Sequence, residues 1–152
     1  RVTEEIIRQF AARKPEREYR ALVSGLVTAD EGTIRSQLAT DKSLNQKSVA
    51  QGELAITHYR VLERYKDVTL LGVRLETGRR NQIRVHCAEM GHPVLGDTRY
   101  RPDQARHRAW PYKRLALHAF VLGFVHPRDE KALRFESALP AEFLNFQERQ
   151  RK

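Results

Sequence analysis

Hydrophobic residues near the start of the chain recur at the spacing of an α-helix. Val2, Ile6 and Phe10 lie four residues apart, Ile7 and Ala11 extend the same apolar stripe, and the other residues between them are charged or polar. This pattern predicts an amphipathic helix over residues 3–14, with one apolar side. Pro15 is expected to end it, because proline disfavours helical geometry in the residue before it.

Beyond Pro15 the pattern changes to the shorter alternation that is typical of strands, as in Tyr19, Ala21 and Val23. The dipeptide Lys66-Asp67 separates two such segments and predicts a hairpin. The most apolar segment, 115–125, is expected to be a central strand, whereas residues 39–53 have no period and are predicted to form a polar loop. The predicted strands are 18–27, 33–38, 55–65, 68–75, 115–125 and 132–136.

Two further helices complete the predicted elements. Residues 81–90 have helical apolar spacing and are followed by Gly91 and Pro93, a pair that commonly closes a helix. Pro140 suits the first position of a last short helix. Several strands joined by short turns, with few helices, predict an α+β fold in one domain: a mixed, mostly antiparallel sheet flanked by a few helices.

Three arginines lie where the strand 68–75 passes into the helix 81–90. Thr77-Gly78 makes the turn, and Arg79, Arg80 and Arg84 follow it. A guanidinium is always charged and can form two parallel hydrogen bonds with a carboxylate or a phosphate. Any single arginine at a helix start is commonly just solvated. Three beside one glycine turn indicate a site for an acidic catalytic group or for a nucleic-acid backbone.

Positive charge is concentrated in the same region. The chain has a net charge of +9, and residues 74–114 hold ten Lys or Arg against four acidic residues. This concentration is the electrostatic pattern expected for a phosphate-backbone partner. A generic solvated basic surface is the alternative, but such a surface would be expected to have its arginines spread evenly, and here they are clustered.

Other features limit the class of protein. No apolar run approaches the length that a membrane span needs. The one cysteine, Cys87, excludes an internal disulfide and fits a reducing compartment. The chain begins at Arg1 without Met, so we expect its true N-terminus, with any targeting signal, to be missing. Cys87 and the histidines do not have the spacing of a zinc site, and we expect these histidines to be structural.

The order of the motifs from about residue 10 to residue 146 resembles the RluA-like family of RNA pseudouridine synthases. Glu18-Tyr19-x-Ala21-Leu22-Val23-x-Gly25 is similar to the second motif of that family, and Ala55-x-Thr57-x-Tyr59 is similar to the strand before its basic motif. The remaining matches are Leu75-Glu76-Thr77-Gly78-Arg79-x-x-Gln82-Ile83-Arg84-Val85-His86, Gly91-His92-Pro93-x-x-Gly96-Asp97-x-x-Tyr100, Leu117-His118-Ala119 and His126-Pro127.

The resemblance implies an enzyme that breaks the glycosidic bond of a uridine in RNA, turns the uracil and rejoins it through carbon, without cofactor or metal. In that family the catalytic aspartate lies in a His-Arg-Leu-Asp motif. This chain contains no Leu-Asp dipeptide. We therefore expect the chain to be the C-terminal part of a pseudouridine synthase catalytic domain, with a partial version of the fold, and to be inactive alone.

The resemblance also assigns candidate catalytic residues. Arg84 matches the family arginine that pairs with the catalytic aspartate, where it would keep that carboxylate ionised and oriented. Tyr19 matches the active-site tyrosine, whose ring can stack on a flipped base, although ordinary core packing is the alternative. Leu115 or Leu117 matches the apolar residue lining the pocket, and Asn81 stands where many members have histidine.

The expected absence of the aspartate-bearing segment predicts an exposed sheet edge or an apolar groove near Tyr19 and Arg84. Full burial of Arg84 in a pair with an acid of this chain would contradict that expectation.

Structured RNA, either rRNA or tRNA, is the expected partner of a cytoplasmic monomer that uses no metal and no membrane. A non-catalytic RNA-binding module that keeps only the basic cleft is the alternative. A DNA-recombining tyrosine enzyme is disfavoured, because no tyrosine follows Tyr112. The residues predicted to contact RNA phosphates are Arg79, Arg80, Arg99, Arg101, Arg106, Arg108, Lys113 and Arg114.

Overall fold

The structure, a computed structural model, describes residues 16–40, 45–125 and 132–151. The helix predicted over 3–14 and the turn at His126-Pro127 lie outside these residues. In this part of the chain no helix is both long enough and apolar enough to cross a membrane. The strands are β1 (Glu16–Ser24), β2 (Glu31–Thr40), β3 (Gln46–Ser48), β4 (Glu53–Arg64), β5 (Val68–Leu75), β6 (Leu117–Val125) and β7 (Ala132–Glu136), and the helices are α1 (Gln82–Glu89), α2 (Pro102–Ala105) and α3 (Ala141–Gln150).

The described strands form one sheet in the order β3-β2-β4-β5-β1-β6-β7, and all pairs of neighbours are antiparallel. The predicted α+β class with a mostly antiparallel sheet and a few helices is confirmed. Strands β4 and β5 form the predicted hairpin across Lys66-Asp67, where the Tyr65 N–H donates to the Val68 carbonyl at 2.8 Å. Strand β5 matches its predicted bounds because it is an apolar run between two turns.

Three predictions about the elements were wrong. The segment 39–53, predicted as a loop, contains the end of β2 and all of β3, a short polar strand that pairs with β2 at the edge of the sheet. The basic loop contains an unpredicted turn of helix, α2, which begins at Pro102. Strand β6 is not central, because only β7 lies beyond it in the sheet. A strand with neighbours on both sides can be apolar wherever it stands in the order.

The core forms where β1 and β5 lie side by side in the sheet. Residues 68–73 of β5 are all buried, and Ala21, Leu22 and Val23 of β1 are fully buried beside them. Helix α3 contributes Phe143 and Phe146, which pack edge-on against Trp110. Trp110 and α3 together cover this apolar surface, and its burial is the main stabilising contribution at this end of the sheet.

Strand β1 exchanges one partner for another along its length. Residues 16–21 pair with β6, whereas Val23 pairs with Val94 of the segment that follows α1. At the exchange, three backbone hydrogen bonds close a ring, which we call the backbone clamp. Leu95 N–H donates to Leu22 O at 2.9 Å, Ala116 N–H to Leu95 O at 2.9 Å, and Leu22 N–H to Ala116 O at 3.0 Å. The clamp fixes both ends of the loop 96–115 against the core.

Candidate active site

The start of α1 is fixed by buried hydrogen bonds of Thr77 and Gln82. The Thr77 hydroxyl accepts the Ile56 N–H at 2.9 Å and donates to Gln82 Oε1 at 2.7 Å. Gln82 Oε1 also accepts the Arg79 N–H, and Gln82 Nε2 donates to Ile56 O and to Thr57 Oγ1. Because both side chains are buried and fully bonded, they hold the turn and the first residue of α1 firmly on β4.

His86 continues this polar contact one turn further along α1. Its ring is fully buried and lies 2.8 Å from Thr57 Oγ1 through Nδ1 and 2.8 Å from Ser36 Oγ through Nε2. Burial lowers the pKa of His86, because the charged imidazolium is poorly solvated there. A neutral ring that donates to one hydroxyl and accepts from the other therefore joins α1 to β2 and β4.

Two of the histidines weighed for a zinc site bond backbone carbonyls, and His118 does so through Nε2 to Ser137 at 3.2 Å. His92 bonds the Ser24 carbonyl through Nδ1 at 2.7 Å, as expected of a histidine held by backbone. His86 bonds hydroxyls instead. Cys87 is a buried core residue, and this burial raises the pKa of its thiol to about 12. The described ranges contain no cluster of His, Cys, Asp or Glu that could hold a metal ion.

Arg84 forms a bidentate ion pair with Asp97. Its Nε donates to Oδ2 at 2.9 Å and its Nη2 donates to Oδ1 at 2.8 Å. The Asp97 side chain is 0% exposed, whereas that of Arg84 keeps 22% of its exposure. Neither bond uses Nη1 of Arg84. The guanidinium plane is therefore set by one buried carboxylate, while part of the group still faces outward.

Asp97 is also bound by its own loop. Its Oδ1 accepts the N–H groups of Arg99 at 2.8 Å and Tyr100 at 3.0 Å. Burial alone would raise the pKa of Asp97, but the bonds from Arg84 and from these two N–H groups outweigh it and hold the pKa below its ordinary value. The same pair raises the pKa of Arg84. Both groups are charged at neutral pH.

The loop around Asp97 has little freedom to move. Gly96 has a φ of +81°, and a Cβ on it would lie 2.8 Å from the Arg114 carbonyl oxygen. The Tyr100 ring lies with its centroid 5.3 Å from Cζ of Arg84, and its hydroxyl accepts the Gln46 N–H and Asn81 Nδ2. The αL conformation of Asn81 and the bond to Tyr100 are structural features that need no titrating imidazole at this position.

The pairing of Arg84 with Asp97 bears on the prediction of an open groove around Arg84. The expected exposed edge or groove near Tyr19 and Arg84 would be contradicted by full burial of Arg84 in a pair with an acid of this chain. The acid is present as Asp97, but the burial is partial. The motif Gly96-Asp97 was part of the family resemblance, but Asp97 had no predicted role. The signal that could have identified it was its place in this motif, because local spacing does not link it to Arg84.

The other two catalytic candidates lie in neighbouring parts of the core. Tyr19 of β1 is half-buried between Val73 and Ala119, and Leu115 is half-buried just before β6. Both pack against the core that also holds Ile83 of α1. Among the described residues, no hydrogen bond, ion pair or ring contact joins Tyr19 to Arg84. The structure thus places Tyr19 and Leu115 against one core, to which α1 contributes Ile83 rather than Arg84.

The basic residues predicted to bind RNA differ in their exposure. Two of them are partly buried and bonded to nearby carbonyl groups. Arg79 bonds the Leu54 carbonyl and pairs with Glu53, and Arg114 bonds the carbonyls of Leu115 and Leu117. The six that are exposed to solvent are Arg80, Arg99, Arg101, Arg106, Arg108 and Lys113.

Comparison with known proteins gives the class of protein. A family model described as RNA pseudouridylate synthase matches residues 2–89, more than half of the 152 residues. The chain therefore belongs to this family, which confirms the resemblance to the RluA-like RNA pseudouridine synthases.

Individual relatives agree with this assignment. The chain is 40% identical over 151 residues to the uncharacterized RNA pseudouridine synthase YlyB of Bacillus subtilis, covering 98% of this chain and 48% of that protein. It is 36% identical over 154 residues to ribosomal large subunit pseudouridine synthase D of Pasteurella multocida, covering 94% and 47%. The chain spans about half the length of the curated relatives it matches.

A solved structure gives the same fold. Human RNA pseudouridylate synthase domain containing 1 is 28% identical and superimposes with a TM-score of 0.75, covering 88% of this chain and 58% of that one. The antiparallel sheet is thus shared with a protein whose sequence has diverged considerably.

Proposed function

We propose that this chain is the C-terminal part of the catalytic domain of an RNA pseudouridine synthase, which isomerises uridine to pseudouridine in structured RNA. The observation that carries the proposal is the Arg84–Asp97 pair. It supplies a fixed, permanently charged guanidinium at the position where the family has its active-site arginine. Ribosomal RNA is the favoured substrate because a relative is named as a synthase of the large ribosomal subunit, and tRNA is the second candidate.

In the proposed mechanism the nucleophilic or charge-stabilising carboxylate comes from an aspartate outside these 152 residues. Arg84 holds that carboxylate ionised and oriented, using the guanidinium edge that Asp97 does not occupy. Tyr19 stacks on the flipped uracil, and Leu115 forms an apolar wall that excludes water. The reaction needs no cofactor and no metal, since bond cleavage and rejoining are both carried by the carboxylate and the base itself.

We further propose that the enzyme acts as a monomer in the cytoplasm, where its RNA substrates are accessible. The exposed cations would contact phosphates and orient the RNA without reading its sequence. A non-catalytic RNA-binding module remains the second candidate, favoured by the absence of a Leu-Asp dipeptide from the sequence.

The test compares pseudouridine formation, mapped chemically in cellular RNA, by this chain and by a longer parent protein that carries an aspartate motif. We expect the chain alone to make none and the parent to be active. Arg84→Ala in the parent should raise the barrier by about 3–5 kcal/mol, roughly a 10²–10⁴-fold slower reaction, because the aspartate loses its charged partner. Arg35→Ala, an exposed change on β2, is the matched control.

Two outcomes would contradict the proposal. Turnover by the isolated chain would mean that one of its own residues replaces the aspartate. An inactive parent that still binds RNA would favour the non-catalytic module instead.

A further inference from the structure

A cleft of about 740 Å³ lies inside the basic loop, next to the Arg84–Asp97 pair. We call it the loop pocket. Asp97, Thr98, Arg106 and Lys113 are among its lining residues. Its aromatic wall consists of Trp110, which is 4% exposed, and the half-buried Tyr112. The sequence alone predicted phosphate contacts for Arg106 and Lys113 and gave the two aromatic residues no role.

The aromatic wall is held in place by the core. The Trp110 indole N–H donates to the Arg114 carbonyl at 2.9 Å, and its ring packs edge-on against Phe143 at 5.3 Å. Tyr112 lies edge-on to Trp110, with 4.9 Å between ring centroids. The core thus buries Trp110 and holds Tyr112 beside the cleft. A partly exposed aromatic ring in a cleft is a usual platform for an unstacked base, since every base can stack on it.

The charge of the loop pocket favours an anion. Arg106 is exposed over 82% of its side chain, and Lys113 is also exposed. The charge of Asp97 is already neutralised by Arg84. Asp103 lies 4.0 Å from Arg106 but is almost fully exposed, where solvent screens the pair. The cations thus remain able to attract a phosphate group.

We propose that the loop pocket binds one nucleotide of a single-stranded RNA segment next to the target uridine. Its base lies against Tyr112, whose ring contacts the buried Trp110, and its phosphate meets Arg106 and Lys113. This inference rests on the proposed function and assigns a second contact to the same RNA. Asp97 is one of the residues that line the loop pocket, and its carboxylate is the partner of Arg84. One residue therefore separates the two sites, as expected for neighbouring nucleotides of one strand.

Trp110 provides a direct test, because it is the only tryptophan in the chain. Its fluorescence is recorded while the 152-residue chain is titrated with a short uridine-containing single-stranded oligoribonucleotide. Uridine 5′-monophosphate, uridine and ribose 5-phosphate are titrated in parallel. We expect the oligoribonucleotide to change the Trp110 fluorescence with the highest affinity, the monophosphate to do so weakly, and the two incomplete probes to have less effect still.

The charge interaction is tested by replacing Arg106 and Lys113 together by Ala. The dissociation constant for the oligoribonucleotide should rise about tenfold or more, and the salt dependence should become shallower by about 0.7 for each phosphate that is no longer neutralised. Arg35→Ala with Lys47→Ala is the matched control, which removes the same charge from exposed positions on β2 and β3. It should change the constant by about twofold or less. Circular dichroism verifies that each variant is folded.

Several results would overturn the inference. RNA binding without a change in Trp110 fluorescence, equal weakening by both double variants, or no RNA binding at all would each do so. Binding of the free monophosphate as tightly as the oligoribonucleotide would make this a site for a free nucleotide. None of these results bears on pseudouridine formation by the longer parent, so failure of this inference is distinguishable from failure of the proposed function.

Discussion

Removal of the Asp97 carboxylate is the most informative perturbation of the candidate active site. This group accepts four hydrogen bonds, two from Arg84 and one each from the N–H groups of Arg99 and Tyr100, and its side chain is fully buried. Asp97→Ala leaves the guanidinium partly buried without its partner. It also leaves the Tyr100 N–H buried without an acceptor, whereas water can reach the exposed Arg99.

The expected loss follows from these contacts. Breaking a buried ion pair by removing one partner costs about 3–5 kcal/mol, and the residual exposure of Arg84 places this term near its lower end. An unsatisfied buried N–H adds about 1–3 kcal/mol. The free energy of unfolding should therefore fall by about 4–6 kcal/mol. Asp97→Asn keeps an acceptor for the backbone and loses only the charge, so it should cost less than Asp97→Ala.

Urea denaturation followed by Trp110 fluorescence measures the change. Glu63→Ala is the control, because Glu63 also accepts two hydrogen bonds from one arginine, Arg151, but at the surface. Solvent screens that pair, so the control should lose much less stability. A loss below about 1 kcal/mol for Asp97→Ala would refute the reasoning, since the carboxylate would then be neither buried nor bonded as described.

Two further predictions concern the residues that position this pair. Burial lowers the pKa of His86 below its ordinary value of 6.5, so the unfolded chain binds the proton more readily, and stability should fall as the pH drops below 6.5. His86→Asn should show a smaller fall between neutral and mildly acidic pH in thermal unfolding, and an unchanged fall would exclude His86 as its source. Gly96→Ala should lower stability by about 2–5 kcal/mol in urea denaturation, because it combines a positive φ with a close approach to the Arg114 carbonyl. Gly91→Ala, which has a positive φ but open space around it, separates the two contributions.

The elements that could be predicted from the sequence are those whose signals are local. Strand β5 was predicted to its ends because an apolar run lies between Lys66-Asp67 and Thr77-Gly78. The polar edge strand β3 has no apolar alternation and was missed. Asp97 was missed for a different reason: it meets Arg84, thirteen residues earlier, only because the segment after α1 pairs with β1. Side-chain partners that depend on such long-range pairing have no signature in local spacing.

The backbone clamp between Leu22, Leu95 and Ala116 has a consequence for how related proteins can diverge. It uses main-chain groups alone, and it closes the loop 96–115 at its base, where the two ends of the loop lie side by side. Lengthening a loop whose ends are already fixed costs only about 0.6 kcal/mol for each doubling of its length. Insertions after Tyr100 can therefore alter the surface proposed to contact RNA while Arg84 and Asp97 stay where they are. If the proposed RNA contacts hold, a change of substrate needs only a change in this loop, and the residues proposed to carry the chemistry are left undisturbed.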